Sequence, residues 1–477
     1  MTSRFAISPQ KRIYYGGILF FALFISLFLF PSGLFIQLGV LFIGIVLFFL
    51  FLFNLELGLY ILIGTSIFYG WEIYFSQYEA LKNISYLAAI NAPLVDLVTL
   101  LLGLCTGFAW FFQFRDFQIK KLLSIKYIIL AYALFIGWGI LATLYIGHGG
   151  EGSSIKYLLR PMLFAFLGFV VLPTVLIQKK EVLVNCLKVA FWTGIVTALF
   201  GLSSVIVAPQ AGWIRITPYG IGNFAPLGYN HNMIAEALVI FIPVAAYLAL
   251  DAYRQKKASA KWYMIGGLLM SVIALLTLSR AAWIALVIEA GLAIFFFKNQ
   301  VIEYVKKRKF LFIWLMLIVG MAIVGYMGVF LTSSVVSSSN SARWQMVDIT
   351  VFYARRSPWF GYGPGTYIDI LASTADFVTE HGDPVDSHGF VQKIILEEGV
   401  VGFGLFSVAV LLIFYHVRQA IVRALQHQYD ALVLQSLFIM MVGGVVFQLF
   451  DTSYFKSVMW LPMGLGIAAS FLETKTS

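Results

Sequence analysis

The chain has 477 residues, of which 61% are hydrophobic and only 11% charged. A soluble chain carries about 25% charged residues, so this one cannot coat a water-facing surface, and lipid must be the solvent for most of it. The formal net charge of +10 does not call for nucleic acid: no helix-turn-helix, finger or RNA-binding signature is present.

Lipid offers the backbone no hydrogen bonds, so membrane spans are helices or closed barrels. The apolar runs are continuous rather than alternating, which predicts helices. In chain order they fall near 13–30, 34–53, 55–72, 94–112, 127–146, 161–177, 187–208, 232–250, 263–279, 281–297, 310–331, 399–417, 432–450 and 457–472. The expectation is an all-α polytopic membrane protein with about 12–14 transmembrane helices and one large outer loop carrying short helices. Residues 13–53 are split only by Pro31-Ser32-Gly33, and 263–297 could be one broken pair. The first run follows Arg4, Lys11 and Arg12, lacks a small-residue cleavage site and runs straight into a second; it reads as a retained helix rather than a removed signal peptide. The expected divisions are N-terminal helices over 1–126, a central membrane region over 127–331, the loop over 332–398 and C-terminal helices over 399–477. Cys105 and Cys186 fall in apolar stretches on different helices, so neither a disulfide framework nor a cysteine metal site is expected.

Alternating spans put most lysines on one side: Lys120, Lys121 and Lys126; Lys179, Lys180 and Lys188; Lys256, Lys257 and Lys261; and the basic run Lys306–Lys309, together with Arg254, Arg418, Arg423 and Lys475. By the positive-inside rule that side is cytoplasmic, with both termini on it. The exceptions are Lys82, Lys156, Arg160, Arg215, Arg280, Arg343, Arg355, Arg356, Lys393 and Lys456. They are mostly arginine. Topology needs only a charge, whereas arginine's planar fork binds phosphate or carboxylate in bidentate fashion. An arginine-rich outer face therefore points to an anionic ligand, although Arg355 and Arg356 read equally well as solvated loop charges. Arg160, in Leu159-Arg160-Pro161, and Arg215 either join a phosphate site or snorkel from span ends. Glu236 and Glu289 sit within apolar runs, where a polar interhelical contact is favoured over a proton path.

The large loop carries three ordered signals. Asn340 or Ser341 caps a helix through Arg343-Trp344, with Trp344, Val347, Val351 and Ala354 on one face. Pro358-Trp359-Phe360-Gly361-Tyr362-Gly363-Pro364-Gly365 is a rigid glycine-rich turn, either structural or ligand-contacting. Ser387 is a plausible N-cap of a helix through Gly399, which puts His388 in its first turn with Gln392 on the same face. Histidine can exchange a proton near neutral pH, but a lone one is more often structural. Glu398 either pairs with an arginine, holds the histidine's helix or satisfies a nearby backbone group. His231 follows Asn230, whose capping role explains that segment without a ligand. No cluster has metal-ligand spacing.

Taken in order, Gly228-Tyr229-Asn230-His231-Asn232, Leu278-Ser279-Arg280-Ala281-Ala282, Arg343-Trp344, the Pro358–Gly365 turn, Ser387-His388-Gly389-Phe390 and Glu398-Gly399-Val400-Val401-Gly402 resemble the signature of the O-antigen ligase and polymerase superfamily over roughly residues 220–405. The family often has Asn where this chain has Gly389. The resemblance implies a GT-C-like, metal-independent glycosyltransferase of the bacterial inner membrane, without cofactor. Its donor would be a glycan on undecaprenyl diphosphate, and its acceptor another glycan, lipid A-core or a protein. It also implies a periplasmic active site in which His388 activates the acceptor hydroxyl. Arg280 and Arg343 would hold the diphosphate, with Arg160 a further candidate and Glu398, Gln392, Arg215 and His231 in support. The alternative is a transporter of polysaccharide precursors or of a small anion, though no internal repeat supports it. A structural scaffold would have no use for clustered arginines beside a histidine.

Overall fold

The computed structural model of the protein describes residues 34–68, 72–74, 91–114, 117, 120–146, 162–209, 214–221, 225–307, 325–383, 386–427 and 430–472. The apolar run at 13–30, most of that at 310–331, and Arg160 lie outside the described residues.

The protein is an all-helical polytopic membrane protein. The helices are α1 Leu34–Phe53, α2 Leu55–Thr65, α3 Leu94–Phe111, α4 Lys120–Ser124, α5 Lys126–Ile146, α6 Phe164–Leu176, α7 Lys180–Val207, α8 His231–Arg254, α9 Ala260–Leu276, α10 Arg280–Lys307, α11 Ser334–Arg356, α12 Tyr367–Ala372, α13 Ala375–His381, α14 Phe390–Gln426, α15 Leu432–Gln448 and α16 Ser457–Ser470. Among the described residues, six of these (α3, α5, α7, α8, α10 and α14) are long and apolar enough to cross a membrane, and α1, α2, α6, α9, α15 and α16 are shorter apolar helices. Of the expected runs that fall on described residues, most are recovered to within a few residues; α2 stops at Thr65, α7 begins at Lys180, α10 continues to Lys307 and α14 joins the loop helix to the span after it. A short antiparallel pair, Glu72–Tyr74 with Asn91–Pro93, joins the end of the 55–72 run to the approach of the 94–112 run.

The core sits where α8, α15 and α16 meet. Every residue of α16 is buried, and its Trp460 ring lies edge-on to Tyr132, Phe166 and Phe406 at 5.0, 5.5 and 6.0 Å. Small residues allow the close crossings that membrane helices rely on in place of a hydrophobic drive. At Gly464 a Cβ would overlap the Phe169 carbonyl, beside the π-helical turn Leu167–Val171 of α6. At Gly443 it would overlap the Glu289 carboxylate. Of the two intramembrane glutamates, Glu236 makes the expected interhelical contact: its Oε1 accepts from Ser453 Oγ at 2.6 Å and from Gln448 Nε2. Glu289 is buried and accepts no hydrogen bond from a described residue.

The large loop is a small packed unit. Met346, Tyr367, Leu371, Phe377 and Leu396 form its core. Phe360 stacks between Trp138 and Tyr145 of α5, at 4.6 and 4.5 Å. The glycine-rich turn is structural: Val400 N donates to Pro358 O at 2.8 Å and Gly363 N to Glu397 O at 2.7 Å, so turn and helix touch backbone to backbone. Gly399 breaks α14 there with φ +69°, and a Cβ on it would sit 2.3 Å from the Trp359 carbonyl oxygen. Left-handed backbone costs an L-residue about 1–2 kcal/mol even without a clash. Gly399→Ala is therefore expected to lower the melting temperature of the detergent-solubilised protein. Gly404→Ala, in the same helix with open space around it, serves as the control that should not. Equal melting temperatures would show that the turn does not need this approach.

Two local expectations fail. α11 starts at Ser334, not after Asn340 or Ser341. Serine is a weak helix former, but Val336 is held in an apolar cluster with Leu278, Trp283 and Phe330, and tertiary packing overrides the propensity. Asn340 serves as a hydrogen-bond acceptor instead of a cap. Ser387 does not cap α14: the N-cap is Gly389, with no side-chain capping bond, and His388 lies just outside the helix rather than in its first turn.

Candidate functional site

Two helix N-termini, α8 and α10, open onto one pocket of about 140 Å³, and α11 crosses it. Its lining includes Arg280, Arg343 and His388 together with Arg215 and His231. Five candidates scattered over more than 170 residues of sequence thus share one cavity. Gln392 and Glu398 do not line it. Glu398 is buried, its carboxylate accepts no hydrogen bond from a described residue, and its backbone carbonyl accepts from Trp138 Nε1 at 2.9 Å. It belongs to the loop's anchorage on α5 and not to the arginines. Gln392 Oε1 is also buried without a partner among the described residues.

Arg280 is the first residue of α10. The preceding Leu278 takes φ +59°, a conformation disfavoured for a bulky residue, and so turns the chain sharply from α9 into α10. Arg280 Nη1 donates to Asn340 Oδ1 at 2.5 Å and Nη2 to Ser339 Oγ at 3.4 Å. The serine-rich start of α11 is thereby fastened to α10. Arg343, one turn past Ser339 on the same face, reaches the same pocket, and its Nε is buried with no partner among the described residues. Burial, and then the Arg280 charge, pull its pKa down to about 10, with Asp451 opposing. Ser279 Oγ, at the same helix start, is likewise buried and unpartnered. Free helix N–H groups, two guanidinium groups and these spare donors are the groups that a multiply charged anion would need.

Arg215 adds a third cation. Its Nη2 lies 2.7 Å from His231 Nε2 and its Nε donates to the Thr277 carbonyl at 3.3 Å. Arginine can only donate, so His231 accepts at Nε2 and is the neutral, Nδ1-protonated tautomer. Asn230 caps α8, its Oδ1 accepting from Asn232 N at 2.9 Å. The cap and the pocket role of His231 coexist.

His388 is half-buried at the pocket's edge. Burial lowers its pKa to about 4, and the Arg343 and Arg280 charges add to this against the pull of Asp386. It is therefore neutral at pH 7 and able to accept a proton. The turn that carries it is stapled from behind by a residue that sequence reasoning did not single out. Thr452, between α15 and α16, accepts at Oγ1 from Gly389 N at 3.1 Å, shares a 2.7 Å hydroxyl contact with Ser387 Oγ and donates to the Ser387 carbonyl. Gly389 has φ +154°, and a Cβ would come within 2.7 Å of the Leu449 carbonyl oxygen. This close approach explains glycine at the position. Lys393 is not a ligand cation: it is buried against Asp386, at 2.6 Å, with Glu397 at 3.6 Å. Arg356 lies over the Phe352 ring at 4.0 Å, outside the pocket lining.

Residues 265–407 match the family model described as O-Antigen ligase. The match covers about a third of the chain and supports its resemblance to the O-antigen ligase and polymerase superfamily. The matched stretch holds Arg280, Arg343 and His388 and ends before Thr452. Arg215 and His231 lie upstream of it, yet the fold brings them to the same cavity. No curated protein matches the chain.

Proposed function

We propose that this protein transfers a glycan from undecaprenyl diphosphate to an acceptor hydroxyl at the periplasmic face of the inner membrane. The supporting observation is the convergence of three arginines and a neutral histidine on one pocket at the helix ends opposite the lysine-rich ones. A lipid diphosphate is a good leaving group, so the reaction needs cations where charge develops and a base at the attacking hydroxyl. Arg280, Arg343 and Arg215, with the start of α10, take up the charge of the departing diphosphate. His388 removes the acceptor proton as the hydroxyl oxygen forms its bond to the anomeric carbon and the bond to the diphosphate breaks. One displacement inverts that carbon. No metal is needed when guanidinium groups do this work.

The test is incubation of the purified protein, in detergent, with undecaprenyl diphosphate glycan alone and then with lipid A-core. A ladder from donor alone indicates a polymerase; silence until lipid A-core is added indicates a ligase. A transporter would give neither, because no sealed compartment is present, and absence of transfer to glycan, lipid A-core and protein acceptors would end the proposal.

Thr452 positions the base in this scheme. Thr452→Val removes the hydroxyl that holds both flanks of His388, and misplacement of about 1 Å costs up to roughly 100-fold in rate. The expected result is a kcat down about 10- to 100-fold with donor affinity kept and activity largely restored in Thr452→Ser. A Thr452→Val protein with normal kcat would show that the staple does not position His388.

A further inference from the structure

α8 has a cavity at each end. His231, its first residue, lines the arginine pocket, whereas Leu248, Asp251 and Gln255 near its other end line a second cavity of about 630 Å³. A helix of 24 residues rises about 36 Å at 1.5 Å per residue, slightly more than a bilayer's hydrocarbon core. The second cavity therefore belongs to the other leaflet. α7 walls it with Lys180, Val184 and Lys188 at four-residue spacing, hence on one face, and the start of α9 closes it with Lys257, Ser259 and Tyr263 just before and within that helix.

Among the described residues, none of the three lysines is in an ion pair. Topology-setting lysines need only sit in loops. Lys188 lies eight residues into α7, at the start of the 187–208 apolar run, where a cation sits at the level of the lipid headgroups. The cavity's own carboxylates, Glu181 and Asp251, leave one positive charge over, and Asp251 Oδ2 is already occupied by Gln255 Nε2 at 2.8 Å. One missing negative charge is that of a phosphodiester. Beside the cavity, α9 exposes an apolar track of Trp262, Ile265 and Leu268, suited to acyl chains. A headgroup with hydroxyl donors would also serve the two carboxylates. We propose that this cavity binds the phosphodiester headgroup of an anionic phospholipid of the phosphatidylglycerol class, in the leaflet opposite the arginine pocket.

The test is the melting temperature of the full chain in nonionic detergent, titrated with phosphatidylglycerol, phosphatidylcholine or inorganic phosphate. Phosphatidylglycerol should give a saturable rise that neither of the others gives. In Lys180→Gln/Lys188→Gln the apparent affinity should fall about thirtyfold, from about 1 kcal/mol for each lysine at an anionic lipid. Lys188→Arg, which keeps the charge, should retain the rise, and so should Arg343→Ala, which weakens only the other pocket. Phosphatidylcholine matching phosphatidylglycerol, inorganic phosphate reproducing the rise, or undiminished affinity in the double variant would each overturn the proposal. None of these readouts depends on glycan transfer.

Discussion

His388→Ala is expected to reduce transfer by about 10²–10⁴-fold, the usual worth of a positioned general base, while leaving donor binding near normal. The split follows from the geometry. In the proposed scheme the diphosphate is held by Arg280, Arg343, Arg215 and the α10 start, and among the described residues none of these hydrogen-bonds to His388. The turn carrying the histidine is held by Thr452 through backbone groups and Ser387, so the side chain can be removed without loosening its neighbours. Single-turnover transfer and donor titration on the same purified variant separate the two effects. A folded His388→Ala protein that transfers at the wild-type rate would remove the base assignment.

The same residue sets the acid limb of the pH profile. With its pKa near 4 in the free protein, His388 stays unprotonated down to about pH 5, so kcat/KM should hold nearly flat from pH 8 to about pH 5 and fall below that. Bound diphosphate cancels the arginine charges that help hold the pKa down. The limb of kcat should therefore lie at higher pH than that of kcat/KM. Stability follows the sign of a depressed histidine: its contribution is present above the unfolded value of about 6.5 and is lost as pH falls toward 4, where the folded state at last accepts the proton. A kcat/KM limb near pH 6.5 would mean that neither burial nor the arginines depress this histidine.

The spans were legible because the bilayer demands long apolar runs and little else, so composition alone decides them. Arg280, Arg343 and His388 were legible as a group because each departs from the lysine-rich topological pattern or sits in an ordered loop motif. Arg215 and His231 stood in the sequence as supporting candidates, but their 2.7 Å pairing did not, since it depends on how the 214–221 segment folds back onto the end of α9. Thr452 was invisible for the same reason: its partners are more than 60 residues away. Local rules failed where tertiary contacts replaced them. Asn340 is drawn into α11 and spends its side chain on Arg280, and Ser387, a good cap by type, spends its hydroxyl on Thr452. Glu398 and Gln392 lie close to the motif histidine in sequence but outside the pocket, because Gly389 and Gly399 turn the backbone on either side of that short helix.

Arg343→Ala should weaken donor binding and lower transfer by about 10²–10³-fold, corresponding to about 2.7–4 kcal/mol for loss of a preorganised donor at developing charge. Arg343 lies close enough to Arg280 for the second charge to depress its pKa, and it keeps an unsatisfied Nε in a buried position. The two guanidinium groups thus repel one another, and a dianionic ligand would relieve that repulsion. Two signs follow that a merely structural arginine would not produce. Arg343→Ala should leave the ligand-free melting temperature unchanged or higher, because a like-charge contact is removed. It should also move the acid limb of kcat/KM upward, because His388 loses the stronger of the two charges that lower its pKa. Arg343→Lys should recover the limb but little of the rate, since a point charge restores the field without the planar fork that grips two oxygens at once. An Arg343→Ala protein that is less stable, with an unmoved limb and wild-type donor affinity, would make this arginine a fold element and leave the diphosphate to Arg280 and Arg215.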